Sequence, residues 1–400
     1  MSKIFVQIAS YRDPELVPTI RDLIAKAKYP ENLTFGICWQ RDETESLEEF
    51  TNDPRFRVID VPYYESKGLC WARSKIQKLW QGEQYTLQLD SHHRFIENWD
   101  VELIEMLMLT GSEKPIVGSY AGSYTPNKKD TLLNDDPYKM VATKFTSGGT
   151  IMFYPHTIQN YKALTRPIPA RFVSGHFFFT IGKHCEEYKY DPNIYFAGDE
   201  ISLSIRSFTL GYDLFHPHKT VIWHEYTRQG RVKHWDDFNE ENVKAKKIER
   251  QWWEMDNDSK RRLRHMLQEE DNNIDLGEYG LGIVRSHRDY ELYTGIDFKR
   301  KLLHPKTLQG IEPPINDDSD WFLLKEIEYE YELNVPYTEN FKFIYIGVED
   351  SEGKVLYRHD ITDYVSSIKV KFKSYTKPTR WIYWPVDVNG QWRTKLEFQL

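Results

Sequence analysis

Over the first 120 positions, short apolar runs alternate with stretches whose apolar residues recur at helical spacing. KIFVQIA, LTFGICW, FRVIDV and YTLQLD are short and rich in β-branched and aromatic residues, and read as strands. Between them, Pro14 to Lys28 predicts a helix with proline in its first turn. Leu69, Ala72, Ile76, Leu79 and Trp80 share one helical face. Ile96 to Leu109 predicts a third helix with Trp99, Leu103 and Met106 on one side. RDETESLEEF is polar and reads as a turn with a short helix. Strands separated by helices predict a largely parallel sheet covered on both faces. Ligands of such sheets gather beyond the carboxyl ends of the strands.

From Gly118 to Pro169 the pattern weakens around one clear strand, GGTIMFYP. RFVSGHFFFTIG reads as a buried strand opening into a short helix, and GDEISLSIRSFTLGYDLFHP as a helix from about Glu200 to Phe208 followed by a strand. TVIWHEY is another strand. KAKKIERQWWEMDNDSKRRLRHMLQ and DYELYTGIDFKRKLL read as helices. From about Glu330, FKFIYIGVE, SIKVKFK, TRWIYWPV and TKLEFQL read as antiparallel strands of a small β domain. The expected division is a catalytic domain over 1–240, a helical extension over 241–328 and a β-rich accessory domain over 329–400, suited to structural support, acceptor recognition or homo-oligomer formation.

The 400 residues carry a formal net charge of -8, which gives no support to nucleic acid as the main partner, because backbone phosphates require a concentrated basic surface. The three cysteines form no CxxC pair and fit a reducing compartment. No apolar run is long enough to span a bilayer, and the opening MSKIFVQIAS runs straight into a strand without a signal-peptide core. The expected location is therefore cytoplasmic.

The chemistry concentrates where YTLQLD ends. Asp90 and His92, two positions apart at a strand end, place a carboxylate and an imidazole on one side of the backbone. Such a donor set suits a hard or borderline divalent ion, Mn²⁺ or Mg²⁺, which can grip a diphosphate. A third ligand is required, and His224 in VIWHEY is preferred over His218, while His93 is expected to point away. Neither GxxxxGK[ST] nor GxGxxG is present, so no phosphate-binding loop competes with this reading. Trp71, Trp223 and Trp235 are candidate sugar platforms, with core packing preferred for the first two.

DSH after TLQL resembles the metal-binding motif of GT-A glycosyltransferases in its Asp-x-His variant. IASYRDPEL, GLCWARSKIQKLW, LQLDSHHRF, YFAGDEISLSIRSFTLGYDLFHP and YGLGIVRSHRDYELYTGIDF, in that order over about residues 1–305, resemble GlcNAc-transferase-like proteins related to the Skp1 hydroxyproline GlcNAc-transferase. The resemblance implies an α/β GT-A-type nucleotide-diphospho-sugar transferase fold with a mixed central sheet, and transfer of GlcNAc or a related sugar from a UDP-sugar. It implies that Ser10, Arg12, Arg73 and Asp90 belong to the donor site and that Asp90 and His92 hold the metal, with His224 the preferred third ligand from its place at a strand end. Asp199 is the first choice to face the acceptor and Glu200 the alternate; a helix-capping role is the plainer reading of either. Retention of anomeric configuration is also implied. The acceptor is a saccharide or a hydroxyl-bearing protein. The alternative is a non-catalytic glycan- or protein-binding module on the same scaffold.

Overall fold

The computed structural model describes residues 2–50, 52–126, 131–132, 135–146, 148–228, 230–315 and 327–400. Two compact units divide the chain, Met1–Asn316 and Asp317–Leu400. The end of the expected helical extension, 316–326, lies outside the described residues.

The first unit opens with β1 (Ile4–Tyr11), α1 (Leu16–Lys26), β2 (Leu33–Arg41), β3 (Phe56–Pro62), α2 (Leu69–Gln77), β4 (Tyr85–Asp90), β5 (His93–Phe95) and α3 (Trp99–Leu109). It continues through β6 (Pro115–Gly118), β7 (Gly122–Thr125), β8 (Thr131–Leu132), β9 (Tyr138–Phe145), β10 (Ile151–Thr157), β11 (Ile168–Pro169) and β12 (Phe177–Ile181). Next come α4 (His184–Glu187), α5 (Asp199–Thr209), β13 (Asp213–His216), β14 (Ile222–His224) and α6 (His234–Asp237). The eight-stranded sheet has the order β11-β13-β6-β12-β4-β1-β2-β3. β3, β2, β1 and β4 run parallel, as the βα alternation predicts. β12 inserts antiparallel between β4 and β6, so the sheet is mixed.

Strand alternation divides the core. Ile4, Val6 and Ile8 of β1, with Leu87 and Leu89 of β4, join the α1 and α3 side, where Leu16, Ile20, Leu23, Trp99 and Leu103 lie. Phe5 and Ala9 face α2 through Ala72 and Ile76. Thr86 and Gln88 also turn away from the first cluster: Gln88 Nε2 donates to the Gly175 carbonyl at 2.7 Å and Thr86 Oγ1 to that of Phe5 at 2.9 Å. Asp90 continues this set at the strand's end.

Above that edge lies a small sheet of order β5-β14-β7-β8. β14 pairs antiparallel with β5, bringing His224 opposite His93, Trp223 opposite Arg94 and Ile222 opposite Phe95.

Three elements differ from expectation. RDETESLEEF forms turns, with no helix: the Asp42 carboxylate accepts from Thr44 N at 2.8 Å and Ser46 Oγ from Glu48 N at 3.2 Å, so short polar side chains take the amides a helix would use. The densely charged segment after 240 splits into helices Glu240–Lys244 and Trp252–Met266. DYELYTGIDFKRKLL is helical only to Thr294, because Gly295 adopts a left-handed φ of 69° and the chain then pairs as Ile296–Asp297 with Leu302–Leu303.

In the second unit, Ile327–Asn334 pairs with Ser367–Ser374, and Phe341–Asp350 lies between Val355–Ile361 and Pro378–Asp387, with Leu396–Gln399 at the far edge. All these pairings are antiparallel.

Candidate active site at the carboxyl edge of the sheet

Asp90 ends β4 with 24% of its side-chain surface still accessible. Its Oδ1 accepts from Arg73 Nη2 at 3.0 Å. Arg73 projects from α2, which starts at Gly68 with φ 105°; a Cβ there would come within 2.7 Å of the Tyr195 ring, so glycine lets the helix start against that ring. The other prong of Arg73 donates to Asp199, the first residue of α5, whose second carboxylate oxygen receives Cys70 Sγ at 3.4 Å. One buried guanidinium therefore ties the end of β4 to the start of α5. Burial pushes the Asp199 carboxyl up, and Arg73 opposes it. For Asp90, burial is outweighed by His224, Arg73 and His92, which hold the carboxyl well below its usual range.

His92 donates from Nδ1 to Asp13 Oδ2 at 2.7 Å, which leaves Nε2 as the lone-pair nitrogen. A histidine held by a carboxylate in this way is oriented and made more basic as a metal ligand. Asp13 also accepts from Ser91 Oγ at 2.7 Å and Arg231 Nη1 at 3.1 Å. Burial opposes its ionisation, but His92 and Arg231 hold it well below the ordinary aspartate value. Arg231 also donates to His92 Nε2 at 2.9 Å and pairs with Glu225 at 2.7 Å. Sequence reasoning passed over both Asp13 and Arg231; the basic run TRQGRVK after His224 was the available signal for Arg231.

His224 Nε2 lies 3.5 Å and His92 Nε2 3.9 Å from Asp90 Oδ2. One donor atom from each of Asp90, His92 and His224 falls within 4.8 Å of the others. Two ligands about 2.1 Å from one ion and at 90–110° lie roughly 3.0–3.4 Å apart, so the two histidines would have to close on Asp90 by a few tenths of an ångström to share a cation. His224 is buried, and neither ring nitrogen has a hydrogen-bond partner. His224 is the one histidine of the three-ligand group with both ring nitrogens orphaned, which is what a ligand-ready histidine presents, although Ser10 Oγ, Arg73 Nε, His93 Nε2 and Arg231 Nε nearby are also unpartnered. Burial, then neighbouring imidazoles, push His224, His176 and His93 well below the ordinary histidine value, keeping them in the neutral form that ligation requires. The donor set therefore fits a divalent ion.

The neighbouring histidines have other partners. His93 Nδ1 donates to the Asp90 carbonyl at 3.0 Å, and its ring meets His224 at 4.9 Å rather than pointing away from the group. His176 Nε2 accepts from Ala121 N at 3.2 Å, and its ring lies on His224 at 4.3 Å. His218 is outside the three-ligand group.

A cavity of about 160 Å³ adjoins Asp90, His92 and His224, walled by Tyr11, Gly68, Tyr195, Arg228 and the segment Arg231 to Trp235. Trp235 lines it beside Phe196, whose ring it meets edge-on at 5.8 Å. Trp223 is buried. Ala9 and Tyr11 face this cavity, but Ser10, between them on β1, is fully buried with its hydroxyl unpartnered. Alternation turns the Ser10 side chain to the interior. Arg12, with φ 45°, pairs with Asp42 at 2.9 Å and Asp237 at 2.8 Å, anchoring α6 over the end of β1. It does not line the cavity. Glu200, next along from Asp199, has no such anchor, and burial followed by the Asp199 charge raises its carboxyl to about 7.

The mixed sheet, with its ligand group at the carboxyl edge of β4, defines a GT-A-type glycosyltransferase fold. Residues 3–53 and 46–300 match the family described as Glycosyltransferase (GlcNAc), and the chain belongs to that family. Among solved structures, GalNAc-T7 crystallised with UDP, GalNAc and Mn²⁺ is similar with a TM-score of 0.50 at 15% identity, over 72% of this chain and 54% of that one. The likeness is one of fold and spans about half of that protein's length. Residues 1–349 of TarS from S. aureus align at 9% identity with a TM-score of 0.37, over 56% of this chain and 60% of that one. No curated protein sequence is significantly similar to the chain. Among the described residues no helix is long and apolar enough to cross a membrane.

Proposed function

We propose that the chain transfers GlcNAc or a related sugar from a UDP-sugar to a hydroxyl acceptor, with a divalent ion, Mn²⁺ or Mg²⁺, held by Asp90, His92 and His224. The observation that carries this reading is the convergence of those three donors, with both His224 ring nitrogens unpartnered, beside a cavity at the sheet's carboxyl edge. A divalent ion bound there would neutralise charge building on the departing diphosphate. Asp13 fixes Nε2 as the lone-pair nitrogen of His92, which Arg231 would yield to the ion, and Arg73 keeps the Asp90 carboxylate ionised and aimed. Arg231 supplies a fixed positive charge suited to a phosphate oxygen. Trp235 and Phe196 offer apolar ring faces to a sugar.

Asp199 acts as a positioning residue, because Arg73 and Cys70 occupy its oxygens. Glu200, half-buried and with a carboxyl near 7, is the better placed of the two to take an acceptor proton. Retention of anomeric configuration and kinship to the Skp1 hydroxyproline enzymes complete the reading; they leave a saccharide or protein hydroxyl as acceptor.

Calorimetry of UDP with and without Mn²⁺ tests it. UDP affinity should rise with Mn²⁺, His92→Ala and His224→Ala should lose that gain to a similar degree, and His218→Ala should keep it. Equal UDP affinity with and without metal would sink the assignment. NMR of the product's anomeric proton decides retention.

A further inference from the structure

The C-terminal unit lies beyond the residues that match the glycosyltransferase family and has a core of its own. Ile344, Ile346, Val348, Trp381 and Tyr383 pack on the inner side of its four-stranded sheet. Alternation sends the intervening residues outward, where Tyr345 stands opposite Trp384, and Gly347 opposite Ile382, which is itself fully buried. Trp392 is 49% exposed, lies 4.3 Å from Trp384 and meets Phe343 edge-on at 5.7 Å. The Tyr345 ring lies down along the sheet, for a Cβ at Gly347 would come within 2.5 Å of its hydroxyl. Arg358 approaches that ring to 5.1 Å and is held by Asp360 at 2.8 Å. On the strand beside Ile382, Lys395 pairs with Glu397 at 2.7 Å.

We propose that this outer face binds a neutral oligosaccharide chain. Indole and phenol rings that are partly open combine a broad apolar surface with polar edges, which matches the C–H side of a pyranose ring bordered by hydroxyls. The Arg358–Asp360 pair, whose guanidinium lies over the Tyr345 ring, supplies charge-assisted hydrogen bonds to hydroxyl groups at that end of the face, which leaves Trp384, Trp392 and Phe343 as its open rings. Arg358 and Lys395 on this rim are paired with Asp360 and Glu397, and the Arg393 guanidinium is taken up by the Glu339 and Asn340 carbonyls, so the face offers little net field to a charged polymer. A second copy of the chain is a poorer occupant. Four partly covered aromatic side chains of about 150–250 Å² each expose roughly 300 Å². A standard protein interface buries about 800 Å² on each partner.

The inference does not depend on the donor chemistry, and its test separates the two. The full chain is titrated with chitohexaose, cellohexaose, maltohexaose and the anionic hexagalacturonate, followed by tryptophan fluorescence and calorimetry. At least one neutral hexasaccharide should bind at submillimolar concentration. Trp392→Ala should weaken it severalfold, and the Trp384→Ala/Trp392→Ala pair at least tenfold, with an unchanged far-UV circular dichroism spectrum and melting profile as the check on folding of the C-terminal unit and unchanged UDP binding as the check on the first. His224→Ala should leave hexasaccharide binding intact. Failure of every neutral hexasaccharide to bind, preference for hexagalacturonate, or binding indifferent to both tryptophans would overturn the proposal. So would a shift from dimer to monomer in sedimentation of the double variant.

Discussion

Asp13→Asn isolates what the carboxylate behind His92 contributes. Asp13 Oδ2 receives His92 Nδ1 at 2.7 Å, Ser91 Oγ at 2.7 Å and Arg231 at 3.1 Å, so its charge is shared among three donors. Asparagine keeps the size and one carbonyl oxygen but removes the charge, and hydrogen bonds to an ionised group are about twice as strong as neutral ones. It can also turn its amide toward Nδ1, which favours the tautomer protonated on Nε2 and removes the lone pair that faces Asp90. Loss of such an outer partner typically lowers metal affinity about 10–100-fold, or about 1.4–2.7 kcal/mol. Calorimetric titration of Mn²⁺ in the presence of UDP should show a loss in that range, smaller than the loss for His92→Ala. Melting in chelator reports separately on the fold. If Asp13→Asn binds Mn²⁺ within twofold of the parent while His92→Ala does not bind, something other than Asp13 orients the imidazole.

Two further outcomes are expected. Arg73→Met leaves the buried Asp199 and the partly accessible Asp90 without their shared cation, and breaking a buried pairing such as that of Asp199 typically costs about 3–5 kcal/mol. Its urea midpoint should fall sharply and recover in part with Asp199→Asn; no recovery would mean that Arg73 acts through packing alone. Glu200, at about 7 in the fold against about 4.3 unfolded, keeps its proton while the unfolded chain loses it, so its contribution to stability is lost as pH rises from about 4.5 to 7. Glu200→Gln should therefore gain melting temperature relative to the parent at pH 7.5 compared with pH 5, and an equal difference at both pH values would refute the raised carboxyl.

Much of the sheet was legible because its strands and helices keep clean periods of 2 and 3.6. β1 to β4 and α1 to α3 lie close to where apolar spacing puts them. The direction of β12 was not legible: HFFFTI is apolar at nearly every position, and a strand buried on both faces reads alike in either direction. At the site, Asp90 and His92 announced themselves by adjacency at a strand end. Asp13 did not, since it meets His92 across 79 positions and looks locally like a helix-leading acid. Ser10 and Arg12 lie within three positions of Asp13 in sequence, and only the alternation of β1 and the ion pairs to Asp42 and Asp237 separate their roles from it.

The ladder between β5 and β14 is three residues long, and with the two-residue pairing of β14 on β7 it decides whether His224 or Trp223 meets Asp90. A slip by one position exchanges the faces of the whole strand. Such an isomer would keep the main sheet and most of its stability, yet it would be blind to metal. Preparations refolded without Mn²⁺ should then contain a silent fraction, visible as a binding stoichiometry below one at undiminished affinity. Metal supplied during refolding would favour the competent register by mass action.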